Sequence, residues 1–536
     1  MITKVVLKNF RSFRERTIEF ADGLNIVVGD NEAGKSTLLE AINLALTRRC
    51  NGKLFDTEFS HHFINSEATA QYLRDLRSGS SALPPEVVIE VFLKQTSQTA
   101  HLRGENNSLK EDAPGIQLRA QLDAEAFPEE YAALVGEPSS VFGVPTEFYR
   151  IDWNGFDGLP VNPRALKIAP ATIDASRIRL QSGADYYLQR ILTRKLSPKQ
   201  RAQLKRAYRL LREQFAEDPS IEEINQFLNG SHDGITAKRL TVEMDTSQPN
   251  HWESALSPHL DRLPLHLSGS GEQNKLKILL ALVRSVEDVD VILIEEPENH
   301  LSFSSLNQLI DKIAEKCDGR QVIVTTHSSF VVNKLGLDQL MLLSRDGVGR
   351  LANLSADTQN YFKKLAGFDT LRLVLAKKVI LVEGPSDELV VQRAYKDRTG
   401  KRPIEDGIDV MAVGGLSAKR FLDLALLLKR RTVVVCDNDG DHQIKVDARY
   451  KEYSDIESIR IVRSADDSLK TLEPQLIGAN ALQVMNEVLG KAFKTADELG
   501  TWMEDNKSEC ALRIHDSTRD ITMPAYIVEA IDAVTA

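Results

Sequence analysis

The stretch of sequence that decides the fold is Gly29-Asp30-Asn31-Glu32-Ala33-Gly34-Lys35-Ser36. It follows a strand-like apolar run, Leu24 to Val28, and leads into Ser36 to Ala45, whose apolar residues recur at helical spacing. In the pattern GxxxxGK[ST], backbone N–H groups surround the phosphates of a nucleotide, the lysine reaches the β and γ oxygens, and the hydroxyl ligates magnesium. We therefore predict a phosphate loop (residues 29–36). Its predicted nucleotide contacts are Gly29, Asn31, Gly34, Lys35, Ser36 and Thr37.

Composition bounds the class of protein but not its chemistry. A chain of 536 residues has room for about three to four domains. The 42% hydrophobic content is enough for ordinary buried cores, and the formal net charge of -10 excludes a uniformly basic surface. Any contact with nucleic acid must therefore come from local basic patches or from metal ions that bridge carboxylates to phosphate.

Cysteine usage and hydropathy both indicate a cytoplasmic protein. Cys50, Cys317, Cys436 and Cys510 are scattered without a CxxC pair, so we expect buried thiols rather than a zinc site or a disulfide framework. The N-terminus lacks the apolar core of a signal peptide, and no run approaches the ~18 apolar residues of a membrane span.

Alternating patterns predict two α/β regions. The runs 86–93 and 116–122 predict strands of a β-rich lobe, and 353–368 has the pattern of a connector. A second α/β domain is predicted to begin near residue 375. The helical runs of the first region are Leu276 to Ser285 and Leu306 to Cys317, and its strand-like runs are Val289 to Ile294 and Gln321 to Thr325. The strand-like runs of the second region are Lys378 to Val382, Asp409 to Ala412 and Thr432 to Cys436.

The segment 177–212 is strongly basic, with eleven Lys or Arg against one acid, Asp185. Its apolar residues recur at helical spacing, so we predict two helices broken at Ser197-Pro198. A basic helical insertion can face DNA or form a dimer contact, and it can equally be a solvated basic face. The sequence leaves both interpretations open.

Three further motifs follow in a fixed order: Ser268 to Gln273 (SGSGEQ), Ile292 to Leu301 (ILIEEPENHL) and Val324 to Ser328 (VTTHS). With the phosphate loop, this order resembles ABC-type ATPases of the SMC and RecF-like kind. The resemblance implies that Ser268, Gly269 and Gly271 belong to a signature motif that contacts ATP.

The same resemblance assigns roles to two acids and a histidine. Glu295 would stand at the magnesium-associated carboxylate, although aspartate is more usual there, and Glu296 would polarise the attacking water. His327 would sense the γ-phosphate. Since such ATPases close ATP between the phosphate loop of one subunit and the signature motif of another, the resemblance also implies a homodimer, with a tetramer possible.

Acids of another kind follow the strands of the second region. Glu383-Gly384 and Asp387 come after the first strand, and Asp437 and Asp439 come after the strand at 432–436. Carboxyl ends of neighbouring parallel strands meet at one edge of a sheet, so these carboxylates can converge on one or two Mg²⁺ ions. The pattern resembles the TOPRIM domain of topoisomerases, primases and a group of nucleases.

An ABC-type ATPase followed by TOPRIM resembles the OLD (overcoming lysogenization defect) family of ATP-linked nucleases, which includes the nuclease subunit of the Gabija antiphage system. A topoisomerase would need a tyrosine nucleophile on a separate domain, and a primase would usually bring a zinc module. By position, the resemblance assigns Glu473 as a second-metal ligand and Lys507 as the stabiliser of charge on the phosphate. An ordinary solvated acid and an exposed lysine are the alternatives for these two.

Together these features predict an α/β chain: an ABC-type ATPase over 1–174 and 236–360, a helical insertion at 175–235, and a TOPRIM nuclease domain over 375–536. The predicted function is a metal-dependent DNA endonuclease gated by ATP, in antiphage defence, with ATP and Mg²⁺ (or Mn²⁺) as cofactors. The alternatives are a DNA-bound ATPase clamp and a nuclease active only with a helicase partner. The predicted catalytic residues are Glu383, Asp437, Asp439, Glu473, Lys507, Glu296 and His327, and the predicted metal ligands are Ser36, Glu295, Glu383, Asp387, Asp437, Asp439 and Glu473.

Overall fold

The structure, a computed structural model, divides into two compact units. The first comprises Met1–Thr172, Val289–Leu293 and Cys317–Ala536, and the second comprises Ile173–Asp288 and Ile294–Lys316. The residues described are 1–50, 52–79, 82–163, 166, 168, 170–174, 196–230, 242, 259–282, 291–316, 319–344, 347–351, 354–364, 369–414 and 417–536.

The first unit begins with an antiparallel sheet. Its central strand, Val87–Leu93, is buried at every residue. A strand covered on both faces reads as a continuous apolar run rather than an alternating one, which explains this pattern. In sheet order the strands are Phe13–Glu19, Ile2–Phe10, Val87–Leu93, Ala113–Leu122 and Arg103–Gly104, with Tyr149–Gly155 paired to Ala113–Leu122. The predicted β-rich lobe is confirmed.

A second sheet carries the phosphate loop. Its strand Leu24–Val28 pairs in parallel with Gln321–Thr325 on one side and with Leu340–Leu343 on the other. The full order is Pro170–Asp174, Val291–Glu295, Gln321–Thr325, Leu24–Val28, Leu340–Leu343 and Val348–Arg350. The helix Lys35–Thr47 follows the phosphate loop and buries its apolar residues between the two sheets' side chains. Strand, loop and helix therefore follow one another as predicted.

The remaining helices of this half are mostly short. They are Phe55–Glu58, Ser66–Arg77, Pro128–Gly136, Ser329–Leu335, Ala356–Lys364 and Thr370–Leu375, with 3₁₀ turns at His61–Phe63, Ala100–Leu102, Pro138–Ser140, Thr146–Phe148 and Leu337–Gln339 and a small strand pair Arg49–Cys50 and Lys53–Leu54. The connector predicted at 353–368 is wrong in part, because Ala356–Lys364 is a helix that buries Thr358 and Phe362. This helix was not predicted, because most of its other residues are polar and give no clear apolar periodicity.

The second unit contains the helical insertion. Ser197 caps the helix Pro198–Ala216, its side chain accepting from Gln200 N while the Gln200 side chain accepts from Ser197 N. Since proline suits the first turn of a helix, the second of the two predicted helices begins where it was predicted, after Ser197, whereas the first lies outside the described residues. The helix buries no residue, and the rest of the basic segment, 177–195, lies outside the described residues. Other elements here are the helices Pro219–Gly230, Ser270–Leu282 and Phe303–Lys316, the 3₁₀ turn Leu265–Leu267 and the strands His259–Leu260 and Leu263–Pro264.

The C-terminal region has its own parallel sheet and its own core. In sheet order the strands are Ile408–Ala412, Lys378–Val382, Arg431–Cys436 and Ile459–Arg463. The helices are Pro385–Thr399, Ala418–Leu427, Leu472–Ala479, Leu482–Leu489, Ala496–Asp505, Lys507–Asp516 and Ala525–Thr535, with short turns at Pro403–Asp406, Gln443–Asp447 and Lys451–Tyr453. Parallel strands with helical crossovers confirm the predicted second α/β domain.

Two composition-based expectations can be compared with this fold. Cys50, Cys436 and Cys510 are free and buried, as expected, and Cys317 lies outside the described residues. Among the residues that the structure describes, no helix combines the length and the apolar character needed to cross a membrane.

Candidate active site

The phosphate loop is shaped by two glycines. Gly34 has a φ of 96°, and a β-carbon there would lie 2.6 Å from the Phe13 ring and 2.7 Å from Ser12 Oγ. At Gly29 a β-carbon would lie 2.2 Å from the carbonyl oxygen of Leu343. Neither position can accept a side chain without moving its neighbours. The loop is therefore a main-chain structure whose conformation depends on glycine.

Lys35 begins the helix that follows the loop, and its side chain turns back onto it. The ammonium donates to the carbonyl oxygens of Gly29 at 2.8 Å and Asp30 at 2.9 Å, and the residue is only 6% exposed. Asn31 and Ser36 are exposed at the same helix N-terminus. A buried lysine beside the first N–H groups of a helix suits a polyphosphate.

His327 lies at the same edge of the parallel sheet. The strand Gln321–Thr325 is paired in register with Leu24–Val28, and Thr326 N donates to Val27 O at 3.2 Å. His327 follows directly and is exposed. The structure therefore brings His327 and the phosphate loop to the carboxyl ends of neighbouring strands, and the role of His327 as a γ-phosphate sensor stays a prediction.

In the second unit, the signature motif begins the helix Ser270–Leu282. A β-carbon at Gly271 would lie 2.3 Å from His300 O, so this helix packs its main chain directly on that segment. Gln273 Nε2 donates to Ser268 O at 2.8 Å, which closes the turn before the helix. Gly269 has open space around its α-carbon.

The two predicted ATPase acids also lie in this region. Glu295 ends the strand Val291–Glu295, and Glu296 follows with a φ of 45°. Glu296 Oε2 accepts from Asn299 Nδ2 at 2.7 Å. A left-handed backbone at a non-glycine residue is uncommon and is typical of functional turns.

The carboxylates of the C-terminal domain gather at one edge of its sheet. We call Glu383, Asp387, Asp437, Asp439 and Glu473 the acidic cluster. Glu383 follows the strand Lys378–Val382, and Asp437 follows the neighbouring parallel strand Arg431–Cys436. The structure therefore juxtaposes residues that are 54 positions apart in the chain.

Burial and mutual repulsion perturb this cluster strongly. Burial, followed by the charges of Asp387 and Glu383, raises the pKa of Asp437 to about 8 from an ordinary value of 3.8. The pKa of Glu383 is raised by burial and then by Asp387 and Asp439. Carboxylates that repel one another in a partly buried site are the condition that a divalent cation relieves.

The other side of the acidic cluster is formed by Asp387 and Glu473, and Lys507 lies beside it. Burial is the main cause that raises the pKa of Asp387, which Glu473 raises further and Lys507 lowers. Lys507 Nζ lies 3.4 Å from Glu473 Oε2; the glutamate side chain is 5% exposed and the lysine side chain 50%. Asp387 also has a role that the sequence interpretation missed, because its Oδ2 accepts from Gly384 N at 2.9 Å and so caps the helix Pro385–Thr399.

The residue between the two acids of the D-x-D pair anchors their loop. Asn438 is 1% exposed, and its amide donates to Asp466 O at 2.7 Å while its Oδ1 accepts from Gly440 N at 3.0 Å. Asp439 is exposed with a φ of 49°, and its N–H donates to Lys470 O at 3.2 Å. The anchor leaves Asp439 facing outward while Asp437 is held inward.

Two further residues near the cluster were not predicted. The positive charge of Arg449 lowers the pKa of Glu383, against the effect of burial, and its guanidinium lies 5.2 Å from the Tyr450 ring. Tyr526 is 6% exposed, and the charges of Asp437 and Asp387 contribute, after burial, to raising its pKa. Both residues belong to segments without a motif, so only the folded arrangement reveals them.

The donor set fits a hard cation. Across the described residues, no group of three or more histidine, cysteine or acidic side chains is placed so that it could hold a metal ion as it stands. The cluster nevertheless supplies only carboxylate oxygens, which are the ligands that Mg²⁺ and Mn²⁺ prefer. Burial and neighbouring carboxylates raise the pKa of Glu383, Asp387 and Asp437, a condition that a bound cation would relieve.

Three family models match separate stretches of the chain. An AAA-domain model matches residues 4–145, and a second one, whose description names the AbiEii toxin and Type IV TA systems, matches residues 164–333. The model for the TOPRIM domain of overcoming lysogenization defect protein-like proteins matches residues 374–439. The chain joins an ABC-type ATPase to an OLD-like TOPRIM domain. The TOPRIM match contains Glu383, Asp387, Asp437 and Asp439.

Individual relatives and solved structures match parts of the chain. The chain is 34% identical to the DNA replication and repair protein RecF of Acetivibrio thermocellus over 95 residues, or 18% of this chain and 25% of that protein. It is 24% identical to an ATP/GTP phosphatase of Helicobacter pylori over 61% of this chain and 85% of that one. The C-terminal region of the Xanthomonas campestris pv. campestris OLD protein is 20% identical, with a TM-score of 0.24, over 30% of this chain and 94% of that structure.

These comparisons confirm the predicted fold class and the OLD-like TOPRIM domain. The chain spans about a quarter of the RecF relative, so that protein's activity is not transferred with the match. Domain boundaries, the similarity to Gabija and the roles of individual site residues stay predictions.

Proposed function

We propose that this protein is a metal-dependent DNA endonuclease, nicking or cutting both strands, whose TOPRIM domain is gated by ATP in an ABC-type dimer. One observation carries the proposal. Glu383, Asp437 and Glu473 come from separate segments, the charges of Glu383 and Glu473 add to burial in raising the pKa of Asp437, and Lys507 Nζ lies 3.4 Å from Glu473 Oε2. A cluster of acids with one adjacent lysine suits phosphodiester hydrolysis, in which metals balance the acids and the lysine faces the phosphate.

The residues divide by their chemistry. Glu383, Asp387, Asp437, Asp439 and Glu473 would hold Mg²⁺ or Mn²⁺. When bound, such ions supply an activated water and stabilise the leaving oxygen. Lys507 is half exposed and can neutralise charge developing on the phosphate. Asn438 fixes the loop of Asp437, so that this carboxylate keeps its direction when DNA enters.

On the ATP side, Lys35 would contact the β and γ phosphates and Ser36 and Glu295 would hold magnesium. Glu296 would polarise water and His327 would sense the γ-phosphate. Ser268, Gly269 and Gly271 would contact the ATP of a second copy, which makes the active form a homodimer or a tetramer of such dimers. The match to RecF, a DNA replication and repair protein, supports DNA as the substrate. OLD-like TOPRIM suggests antiphage defence as the setting, with a helicase as a possible partner.

Plasmid cleavage by the purified protein tests the proposal. The reaction is run with Mg²⁺ or Mn²⁺ or a chelator, each with and without ATP, beside the Asp437→Ala variant. Asp455→Asn is the matched control, because Asp455 is an exposed acid of the same domain outside the cluster. Metal-dependent cleavage that Asp437→Ala loses and Asp455→Asn keeps is expected. Equal cleavage by Asp437→Ala would overturn the assignment of the cluster.

A further inference from the structure

A six-residue helix lies directly before the TOPRIM domain and touches the ATPase and the TOPRIM sides. We call Thr370–Leu375 the coupling helix. It buries Thr370, Leu371, Leu373 and Val374, and the first TOPRIM strand, Lys378–Val382, begins three residues after it. Four of its six residues are buried, so the helix cannot shift without moving its neighbours, because protein interiors are close-packed.

On the ATPase side, the coupling helix is hydrogen-bonded to the segment after His327. Thr370 Oγ1 donates to Asn333 Oδ1 at 2.7 Å, and both residues are fully buried. Ser329 Oγ donates to Asp369 and accepts from Leu371 N. Ser329 begins the helix Ser329–Leu335, two residues after His327. The helix that follows His327 is therefore hydrogen-bonded to the coupling helix, through a buried contact at Thr370 and through more exposed contacts at Ser329.

On the TOPRIM side, Arg372 makes a fork of hydrogen bonds. Its Nε and Nη2 donate to the Asp409 carboxylate at 3.0 and 2.6 Å, and Nη2 also donates to Val410 O at 2.8 Å. The same Nη2 lies 3.4 Å from Glu388 Oε1. Glu388 follows Asp387 on the helix Pro385–Thr399, and its Oε2 accepts from Ala412 N at 3.3 Å. Arg372 thus ties the coupling helix to the helix that carries a predicted metal ligand.

A second arginine holds the C-terminal end of the coupling helix. Arg430 Nη2 donates to Val374 O at 3.0 Å, and its Nε is buried without a hydrogen-bond partner among the described residues. Burial lowers the pKa of Arg430, and the negative charge of Asp30 in the phosphate loop opposes that effect. Arg430 therefore adds a hydrogen bond to the coupling helix from the start of the strand Arg431–Cys436.

We propose that the coupling helix transmits the nucleotide state of the ATPase to the acidic cluster, and that Arg372 is the residue that positions the Asp387-bearing helix in response. This inference rests on the proposed function, since it names the route by which ATP gates the TOPRIM site. Asp387 is the ligand that moves, because its helix is the one held by Arg372 through Glu388. Asp437 and Asn438 stay in place, because their loop is anchored to residues 464–470 instead.

Hydrogen exchange on the full-length protein tests the route without requiring cleavage. Backbone amide protection of residues 385–399 is measured with Mg²⁺ alone and with Mg²⁺ plus a non-hydrolysable ATP analogue. The variants are Arg372→Gln on the TOPRIM side and the isosteric Thr370→Val on the ATPase side. Arg398→Gln is the matched control, because Arg398 lies on the same TOPRIM helix and forms an exposed ion pair with Asp532. Nucleotide binding is titrated for each protein with a fluorescent ATP analogue.

We expect the analogue to change protection of 385–399 at least about fivefold in the wild type and in Arg398→Gln. The change should disappear in Arg372→Gln and in Thr370→Val, while both still bind the analogue within about twofold of wild type. Retention of the full change in both variants would overturn the proposal, as would an equal loss in Arg398→Gln. Because this readout needs no DNA, a wild type that couples but never cleaves would reject the proposed nuclease function and leave the coupling standing.

Discussion

The phosphate loop and the acidic cluster, the two sites proposed to act on phosphate groups, are built by different means. The phosphate loop consists of eight consecutive residues, and its shape comes from the main chain, with glycines where a β-carbon would collide. The acidic cluster consists of side chains from segments between Glu383 and Lys507, and its shape comes from the sheet that gathers them. The first site presents N–H groups and a lysine to an anion, whereas the second must first take up a cation. Substitutions in the phosphate loop should therefore affect ATP binding, and substitutions in the acidic cluster should affect metal binding and cleavage.

The largest expected effect is on cleavage through the acidic cluster. Glu383→Gln removes a charge from a partly buried ligand while keeping its shape, so cleavage should fall about 10³-fold or more. Rates of plasmid nicking at saturating Mn²⁺ measure this change. ATP binding should be unaffected, because Glu383 is not part of the predicted ATP site.

Lys35→Ala supplies the opposite control. It should abolish ATP binding and leave Mn²⁺ binding to the acidic cluster intact, which isothermal titration of each ligand would show. Loss of both ligands in either variant would mean that the two sites are one structural unit and that the contrast between them is wrong.

A smaller effect separates charge stabilisation from metal binding inside the cluster. Lys507→Gln should reduce the cleavage rate about 10²- to 10³-fold, because it removes a cation from the position where phosphate charge develops. Mn²⁺ affinity should change little or increase, since Lys507 lowers the pKa values of Asp387 and Asp437 but supplies no ligand. A large loss of Mn²⁺ affinity with an unchanged rate at saturating metal would assign Lys507 to holding the cluster together.

A matched pair of glycines compares the two sites directly. Gly34→Ala forces a β-carbon within 2.7 Å of Phe13 and Ser12 at a φ of 96°, so ATP affinity should fall about tenfold or more. Gly384→Ala places its β-carbon 3.5 Å from Asp387 Oδ2 at an ordinary φ of -141°. Cleavage by Gly384→Ala should therefore stay within about twofold of wild type. Equal losses in the two variants would show that the acidic cluster also depends on its main chain.

The same difference explains what could be predicted from the sequence. The phosphate loop was readable because its parts are adjacent, and the strands Leu24–Val28, Gln321–Thr325 and Lys378–Val382 have the predicted bounds because they are short, apolar and buried. The acids Glu383 and Asp437 could be proposed as partners because parallel strands end at one edge. Each of these inferences needed only a local pattern and a topological rule.

What could not be predicted depends on contacts between distant segments. Arg449 and Tyr526 carry no motif, and their closeness to the cluster follows from how the helices after 440 pack. The helix Ala356–Lys364 was missed because its buried face has few apolar residues. Nothing in the sequence distinguishes Arg372 from other basic residues. Its contacts with Asp409, Glu388 and Val410 are visible only in the folded structure.

The smallest expected effect concerns stability and pH, and it follows from the electrostatics of Asp437. Its folded-state pKa of about 8 lies above its ordinary value of 3.8, so the folded protein binds this proton more tightly than the unfolded chain does. The stability that this proton contributes is present at low pH and is lost as the pH rises towards 8. In a chelator, Asp437→Asn should therefore melt at nearly the wild-type temperature only near pH 4, close to the ordinary pKa of 3.8. At pH 8.5 it should melt higher than wild type, by about 2–4 °C for each kcal/mol regained.

Mn²⁺ should reverse this order of melting temperatures, because only the wild type gains from a cation that replaces the proton. The apparent Mn²⁺ affinity of the wild type should increase up to about pH 8 and then level off. Thermal melts in chelator and in Mn²⁺ across this range measure both effects, and a wild type that is the more stable protein in chelator at pH 8.5 would show that the cluster is already compensated by protein groups.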